Sequence, residues 1–66
     1  MRLRVDREAD ALYLVVDDSP VAESEEVSPG LVIDFNDKNE IVGVEILHLS
    51  KRSRPLNLQQ LTFETS

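Results

Sequence analysis

The chain has 66 residues, a formal net charge of −6, no cysteine and a single histidine. This composition excludes disulfides and thiolate metal sites, and it argues against binding to nucleic acid or to anionic membrane surfaces. A chain of this size buries only about 60% of the surface of its unfolded form, so a single small core gives marginal stability. Small proteins compensate with disulfides, a metal or oligomerisation, and here self-association is left open. We expect one cytoplasmic domain, residues 1–66, without a signal peptide or a membrane span.

The first residues predict a β-hairpin. Residues 2–5 alternate between arginine and aliphatic side chains, which indicates a half-buried strand. The segment DREAD interrupts the pattern, and residues 11–17 then resume with the β-branched and aromatic side chains that strands favour. A five-residue loop would place Val5 opposite Ala11 and Leu3 opposite Tyr13.

The second strand of this hairpin is apolar on both faces. Leu12 and Leu14 lie on one face, and Tyr13 lies on the other beside Ala11 and Val15. A small antiparallel sheet normally buries only one face, so two apolar faces need cover on both sides. We therefore expect an association surface here, covered by a second subunit, with a dimer favoured, or by a different protein.

The middle of the chain predicts an acidic edge strand followed by a second hairpin. The acidic segment VAESEEV at 21–27 suits an exposed edge, where charges oppose aggregation, and Pro29 with Gly30 marks a turn. Residues 31–35 and 41–47 read as strands, and Asn39 suits a left-handed position between them. Apolar matching pairs Phe35 with Val42, Ile33 with Val44 and Leu31 with Ile46.

The C-terminal residues are less regular. We predict a helical turn or an irregular crossover at 47–54 and a short helix at 56–62, although the leucine spacing at 56–62 also fits a strand. The predicted fold is α+β and mostly β: an antiparallel sheet of four to five strands built from two hairpins, with a short C-terminal helix or helical turn. The structure of the tail, 54–66, stays open.

No motif in the sequence specifies a catalytic residue, a cofactor site or a metal ligand. The acids of DREAD match only the start of an EF-hand loop, because the turn glycine and the closing glutamate are missing, so we predict a turn capped by Asp6. The glutamates of residues 23–26 read as a solvated strand face rather than a carboxylate pair. His48 and Ser50 stand two residues apart without a nucleophile elbow.

Three stretches together resemble the bacterial and archaeal family called domain of unknown function 2283: VDREADALYLVVDD, VAESEEVSPGLVIDF and EIVGVEILHLSKR. The resemblance rests on Asp6, Asp10, Ala11, Leu12 and Tyr13, on Glu23, Glu26, Val27, Pro29, Gly30 and Asp34, and on Gly43, Glu45, Ile46, Leu47, Ser50, Lys51 and Arg52. Val5 stands where the family usually has tyrosine, and the tail from Arg54 onward lies outside the pattern.

The resemblance implies little about activity, because the family has no established function. Some members are encoded beside small proteins resembling ribonuclease-like toxins, which suggests an antitoxin-type role towards a basic partner protein. The acidic charge of this chain agrees with such a partner. We favour a non-catalytic interaction module, with Leu14 and the family-pattern residues as candidate interface positions. The alternative is a small enzyme or divalent-metal-binding domain that uses Asp6, Asp10, Glu23, Glu26 or Asp34.

Overall fold

The chain folds into one antiparallel sheet followed by a short helical turn. The structure is a computed structural model that describes residues 1–66. Its strands are β1 (Arg2–Asp6), β2 (Ala11–Val15), β3 (Glu23–Ser28), β4 (Leu31–Phe35) and β5 (Ile41–Ile46). They are hydrogen-bonded in the order β1-β2-β5-β4-β3, so β5 is central and β1 and β3 are the edges. The predicted fold class, mostly β and antiparallel, is confirmed.

The loop of the first hairpin is tighter than the five residues we predicted. β1 extends to Asp6, which pairs with Ala11, whereas we predicted Val5 opposite Ala11. The predicted register is therefore wrong by one residue. Two local features stabilise the shorter loop: the Asp6 carboxylate accepts the Ala9 N–H at 3.0 Å, and Asp10 has a left-handed φ of 56°.

The second hairpin confirms most of the predicted pairing. Leu31 lies opposite Ile46, and Ile33 lies opposite Val44. Near the turn the register shifts, and Phe35 pairs with Ile41 instead of the predicted Val42. Asn39 has the predicted left-handed conformation, with φ of 61°, and its N–H donates to the carbonyl of Asn36 at 3.1 Å. Apolar matching thus identified the register of the strands but not the irregularity beside the turn.

β3 forms the exposed, acidic edge that the sequence predicted. Every residue of this strand is exposed, and its register shifts between Glu26 and Ser28. Gly30, in the turn to β4, has the positive φ expected there, 81°. The connection from β2 to β3 crosses the ends of the intervening strands, where Ala22 N–H donates to the Phe35 carbonyl at 2.8 Å.

After β5 the chain forms a short helical turn and no longer helix. The 3-10 turn, Leu49–Lys51, falls within the segment 47–54 for which we predicted a turn or crossover. The helix predicted at 56–62 is wrong, because this segment contains only a turn. Leu61 and Phe63 are 71% and 81% exposed, so packing does not stabilise so short a helix. No helix has the length and apolar character needed to cross a membrane.

The register divides the strand side chains between two faces, because residues directly opposite on neighbouring strands share a face. We call one the apolar face; it consists of Leu3, Val5, Leu12, Leu14, Leu31, Ile33, Phe35, Val44 and Ile46. We call the other the polar face; it includes Arg2, Arg4, Tyr13, Val15, Ser24, Glu26, Val32, Asp34, Gly43 and Glu45. The two faces therefore differ sharply in chemistry.

Much of the apolar face is accessible, although at its β1 edge Val5 lines a cavity together with Leu49, Leu56 and Leu58 of the C-terminal segment. All its side chains are half-buried or exposed, and Leu3 and Val5 at its β1 edge are 39% and 37% exposed. The whole chain exposes 5551 Å². A compact folded chain of 7.5 kDa exposes about 4,200 Å². Exposed apolar side chains on this face and in the tail, such as Leu3, Leu61 and Phe63, contribute to this excess.

Candidate functional site

Asp34 is the centre of a hydrogen-bonded cluster on the polar face. Its side chain is only 2% exposed. The Tyr13 hydroxyl donates to one carboxylate oxygen at 3.0 Å, and the Ser24 hydroxyl donates to the other at 2.6 Å. The strand order explains this meeting: Asp34 on β4 neighbours Ser24 on β3, while Tyr13 on β2 reaches across β5. The buried carboxylate thus has a hydroxyl donor on each oxygen.

Gly43 leaves the space that the Asp34 carboxylate occupies. It lies on β5 between Val15 on β2 and Asp34 on β4. A β-carbon at this position would lie 2.9 Å from Asp34 Oδ2, closer than a carbon and an oxygen can pack without displacement. Glycine inside a central strand usually weakens it, so a residue without a side chain here has a packing reason.

The cluster also places ionisable groups close together. Burial and the nearby Asp34 carboxylate raise the pKa of Glu45, which lies opposite Tyr13 on the same face. Burial and the hydrogen bond to Asp34 raise the pKa of Tyr13 to about 12. On the outer side, the Arg4 guanidinium lies 6.0 Å from the centre of the Tyr13 ring. Burial and the Asp34 carboxylate therefore favour the neutral Tyr13 phenol, which donates to that carboxylate.

The ionisation of Tyr13 provides a direct test of this cluster. Tyr13 is the only tyrosine and there is no tryptophan, so phenolate absorbance reports this residue alone. In the folded chain we expect its pKa near 12, above the ordinary 10.0, so the stability that the neutral phenol contributes is complete below pH 10 and is lost as the pH rises towards 12. Asp34→Asn, which removes the charge, should lower the midpoint; a folded parent chain that titrates at the ordinary value would contradict the geometry.

Asp10 joins the first hairpin to the segment after β5. Its carboxylate oxygens accept the Ser50 N–H at 3.0 and 3.2 Å, and one of them accepts the Ser50 hydroxyl at 2.7 Å. The Asp10 carbonyl also accepts the N–H of Leu49, at 3.1 Å, and Leu49 is buried. His48, which precedes the 3-10 turn, makes no side-chain cap, so Asp10 supplies the missing cap from forty residues away.

Gly30 and Pro29 lie in the turn between β3 and β4. The Gly30 carbonyl accepts the Leu47 N–H at 2.8 Å, which ties the turn to the end of β5. Lys51 and Arg52 are exposed at the end of the 3-10 turn. The structure contains a single ion pair, between Arg2 and Asp18, so both basic residues remain unpaired.

The carboxylates proposed for an enzyme or metal site do not converge. Asp6 caps its own loop, Asp10 binds Ser50, and Asp34 is enclosed by hydroxyl groups. Glu23 and Glu26 lie on opposite sides of β3, because Glu23 pairs with Phe35 and Glu26 with Val32. No three histidine, aspartate or glutamate side chains come together as a group that could hold a metal ion.

The candidate interface residues do not share one surface, because they lie on both faces of the sheet. Leu12 and Leu14 lie on the apolar face, whereas Tyr13 and Glu45 lie on the polar face with Asp34. Sequence reasoning missed Ser24, whose only signal is a hydroxyl group within an acidic strand. It also missed the links from Tyr13 to Asp34 and from Asp10 to Ser50. The apolar face and the Asp34 cluster are therefore two distinct features.

These features define a small antiparallel β protein with one largely accessible apolar face and a polar face organised around a buried aspartate. The chain belongs to the family described as "Protein of unknown function (DUF2283)", which matches residues 2–50. The resemblance noted in the sequence is thus confirmed. The match includes Asp10, Asp34 and Ser50, while Lys51 and Arg52 lie just beyond it. No curated protein and no solved structure matches the chain.

Proposed function

We propose that the protein is a small non-catalytic interaction module that works by packing its apolar face against another protein surface. The largely accessible apolar face carries this proposal. The four strands that carry this face, β1, β2, β5 and β4, span about 20 Å by about 20 Å, roughly 400 Å² of sheet. Contiguous apolar patches of this size on soluble proteins commonly mark interaction sites.

The roles of the buried and capping carboxylates support a non-catalytic module over the alternative enzyme or metal-binding domain. Asp34 has a hydroxyl donor on each carboxylate oxygen, and Asp10 caps a helical turn. Both interactions connect distant parts of the chain, from β2 and β3 to β4 and from the first hairpin to the segment after β5. These residues therefore support the sheet that presents the apolar face.

A photoreactive amino acid introduced in the host cell tests the proposed function. Ile33 and Val32 are neighbours on β4, both half-buried, with side chains on opposite faces of the sheet. We expect a protein adduct when the probe replaces Ile33 and none when it replaces Val32, the matched control. The absence of any adduct at Ile33, or equal adducts at both positions, would contradict the proposal.

A basic protein partner, as in an antitoxin-like role towards a toxin-type ribonuclease, is the second candidate. It is favoured by β3, whose glutamates Glu23, Glu25 and Glu26 are exposed and form no ion pair. Such an acidic strand steers a basic protein towards the edge of the apolar face. If this candidate holds, the adduct formed at Ile33 is a basic protein, and its yield falls as salt increases.

A further inference from the structure

The two edges of the sheet differ in how they are protected against pairing with another strand. At one edge, β3 has a register shift between Glu26 and Ser28, and its glutamates project on both sides of the sheet. Bulges and charges are devices by which proteins prevent an edge strand from accepting a neighbour. At the other edge, β1 pairs with β2 in an unbroken register from Arg2 to Asp6 and contains no proline. β1 is therefore the less protected edge.

The outer backbone groups of β1 have no partner within the chain. In an antiparallel pair, alternate residues of a strand direct their N–H and C=O groups away from the neighbouring strand. All five residues of β1 are exposed, and no backbone hydrogen bond outside the strand ladder involves residues 2–6. The C-terminal segment approaches only the end of the strand, where Val5 and Asp6 share a cavity with Leu56 and Leu58. These groups are therefore accessible to a strand that lies alongside β1.

The side chains of β1 present different chemistry on its two sides. Leu3 and Val5 are exposed on the apolar face, whereas Arg2 and Arg4 lie on the polar face. Arg2 forms an exposed ion pair with Asp18, of the kind that contributes little, and Arg4 forms none. An added strand would therefore meet two guanidinium groups on one side and two aliphatic side chains on the other.

The edge formed by β1 is locally basic. Arg7 and Arg52 line the cavity at the end of β1, beside the two arginines of the strand itself. The two acids nearby, Asp6 and Asp10, already accept hydrogen bonds within the chain. The acidic strand β3 lies at the opposite edge, about 20 Å away, which exceeds the Debye length of about 8 Å at physiological salt. Acidic groups are therefore attracted to this edge although the whole chain is negative.

We propose that β1 binds an extended segment of another protein, in which acidic and aliphatic side chains alternate. The segment adds a further strand to the sheet through main-chain hydrogen bonds to the outer edge of β1. Its acidic side chains lie beside Arg2 and Arg4, and its aliphatic side chains lie beside Leu3 and Val5. This site is the edge of the sheet, so it is distinct from the apolar face and does not depend on the function proposed for that face.

Neither edge of a second copy matches this site as well. Full antiparallel overlap with β1 of a second copy would bring Arg2 to Asp6 but Arg4 to Arg4, and it would double the positive charge at the edge. β3 of a second copy carries two of its three glutamates on the side of the apolar face, where they would lie beside Leu3 and Val5. A carboxylate placed there loses hydration without gaining a partner. A segment with acids on one side only avoids both conflicts.

A synthetic peptide tests the site on the full chain. The probe is a capped hexapeptide in which glutamate and valine alternate, and the control has the same composition arranged as a block of glutamates followed by a block of valines. We expect saturable binding of the alternating peptide to the isotope-labelled chain, with the largest amide shifts in β1 and slower exchange of its outer N–H groups. The block peptide should bind at least about tenfold more weakly, because it cannot place acids on one side only.

Charge reversal at Arg4 gives an independent measurement. Arg4→Glu should raise the dissociation constant of the glutamate–valine peptide about tenfold, because it replaces an attraction by a repulsion beside the added strand. Arg54→Glu makes the same change of net charge in the exposed tail, away from β1, and should leave it within about twofold. The Arg4→Glu chain should in turn bind an alternating lysine–valine peptide more tightly than the parent chain does, which a misfolded variant would not do.

Four results would overturn the proposal: no saturation at millimolar alternating peptide, equal affinity for the block peptide, amide shifts centred on β3 or the apolar face, or self-association of the chain that protects the same β1 amides. The last result would assign the edge to a second copy. The photoreactive probe at Ile33 reports on the apolar face alone, so either proposal can fail while the other stands.

Discussion

Asp10→Ala is expected to lower the free energy of unfolding by about 2 kcal/mol, which corresponds to a fall of about 10 °C in the melting temperature of so small a chain. The variant removes the hydrogen bonds to the Ser50 N–H and hydroxyl. It also forces alanine into the left-handed conformation, φ 56°, that Asp10 adopts. The 3-10 turn then loses its cap and separates more readily from the first hairpin.

Two milder variants separate the components of this effect. Asp10→Asn keeps a residue that tolerates the left-handed conformation and one oxygen acceptor, so it should cost less than half as much. Ser50→Ala removes only the hydroxyl bond of 2.7 Å, with an expected cost of about 1 kcal/mol. Thermal unfolding should be followed at one protein concentration, because association would itself stabilise the chain. An Asp10→Ala chain as stable as the parent would show that the hydrogen bonds between Asp10 and Ser50 contribute nothing to stability.

Most of the sheet could be predicted because its signals are local. Alternation, turn residues and apolar matching identified the strands, the left-handed Asn39 and the pairing of Ile33 with Val44. The register of the first hairpin was wrong because DREAD allows two loop lengths, and the choice depends on where Asp6 and Asp10 bond. The irregularity beside the second turn could not be predicted either, since Phe35 meets an apolar residue whether it pairs with Ile41 or with Val42.

The candidate site could be predicted only in part, because its links join residues far apart in sequence. The Tyr13 hydroxyl reaches Asp34 only once β5 is placed between β2 and β4, and apolar patterning does not determine that order. The contact between Asp10 and Ser50 depends in turn on how the chain leaves β5. ALYLVV predicted two apolar faces in need of cover, but the structure places only its leucines on the apolar face and joins Tyr13 to Asp34 on the polar face.

The helix predicted at 56–62 failed for a physical reason. Its leucines fit a helical stripe, but a short isolated helix is stable only when that stripe packs against other residues. In the structure Leu56 is 43% exposed and Leu61 is 71% exposed, so the segment gains little from either conformation. Amphipathic spacing in a terminal segment therefore indicates a helix only when a complementary surface exists within the chain.

Gly43→Ala is the second substitution with a large expected effect, and we expect it to lower the free energy of unfolding. Alanine normally suits a central strand better than glycine does, because glycine loses more conformational entropy on folding. Here the added β-carbon would lie 2.9 Å from Asp34 Oδ2, and that carboxylate is held by Tyr13 and Ser24. We expect a loss of about 1–3 kcal/mol in the free energy of unfolding, as for other overpacked interiors.

A double-mutant cycle isolates the contact between Gly43 and Asp34. Asp34→Ala should itself destabilise the chain, because it leaves the hydroxyl groups of Tyr13 and Ser24 without their acceptor. In that background Gly43→Ala meets no carboxylate, so its cost should vanish or become a small gain. Chemical denaturation of the four chains measures the coupling, for which we expect at least about 1 kcal/mol. Additive effects would mean that the glycine is not required by the buried aspartate, and that the polar face does not depend on this close approach.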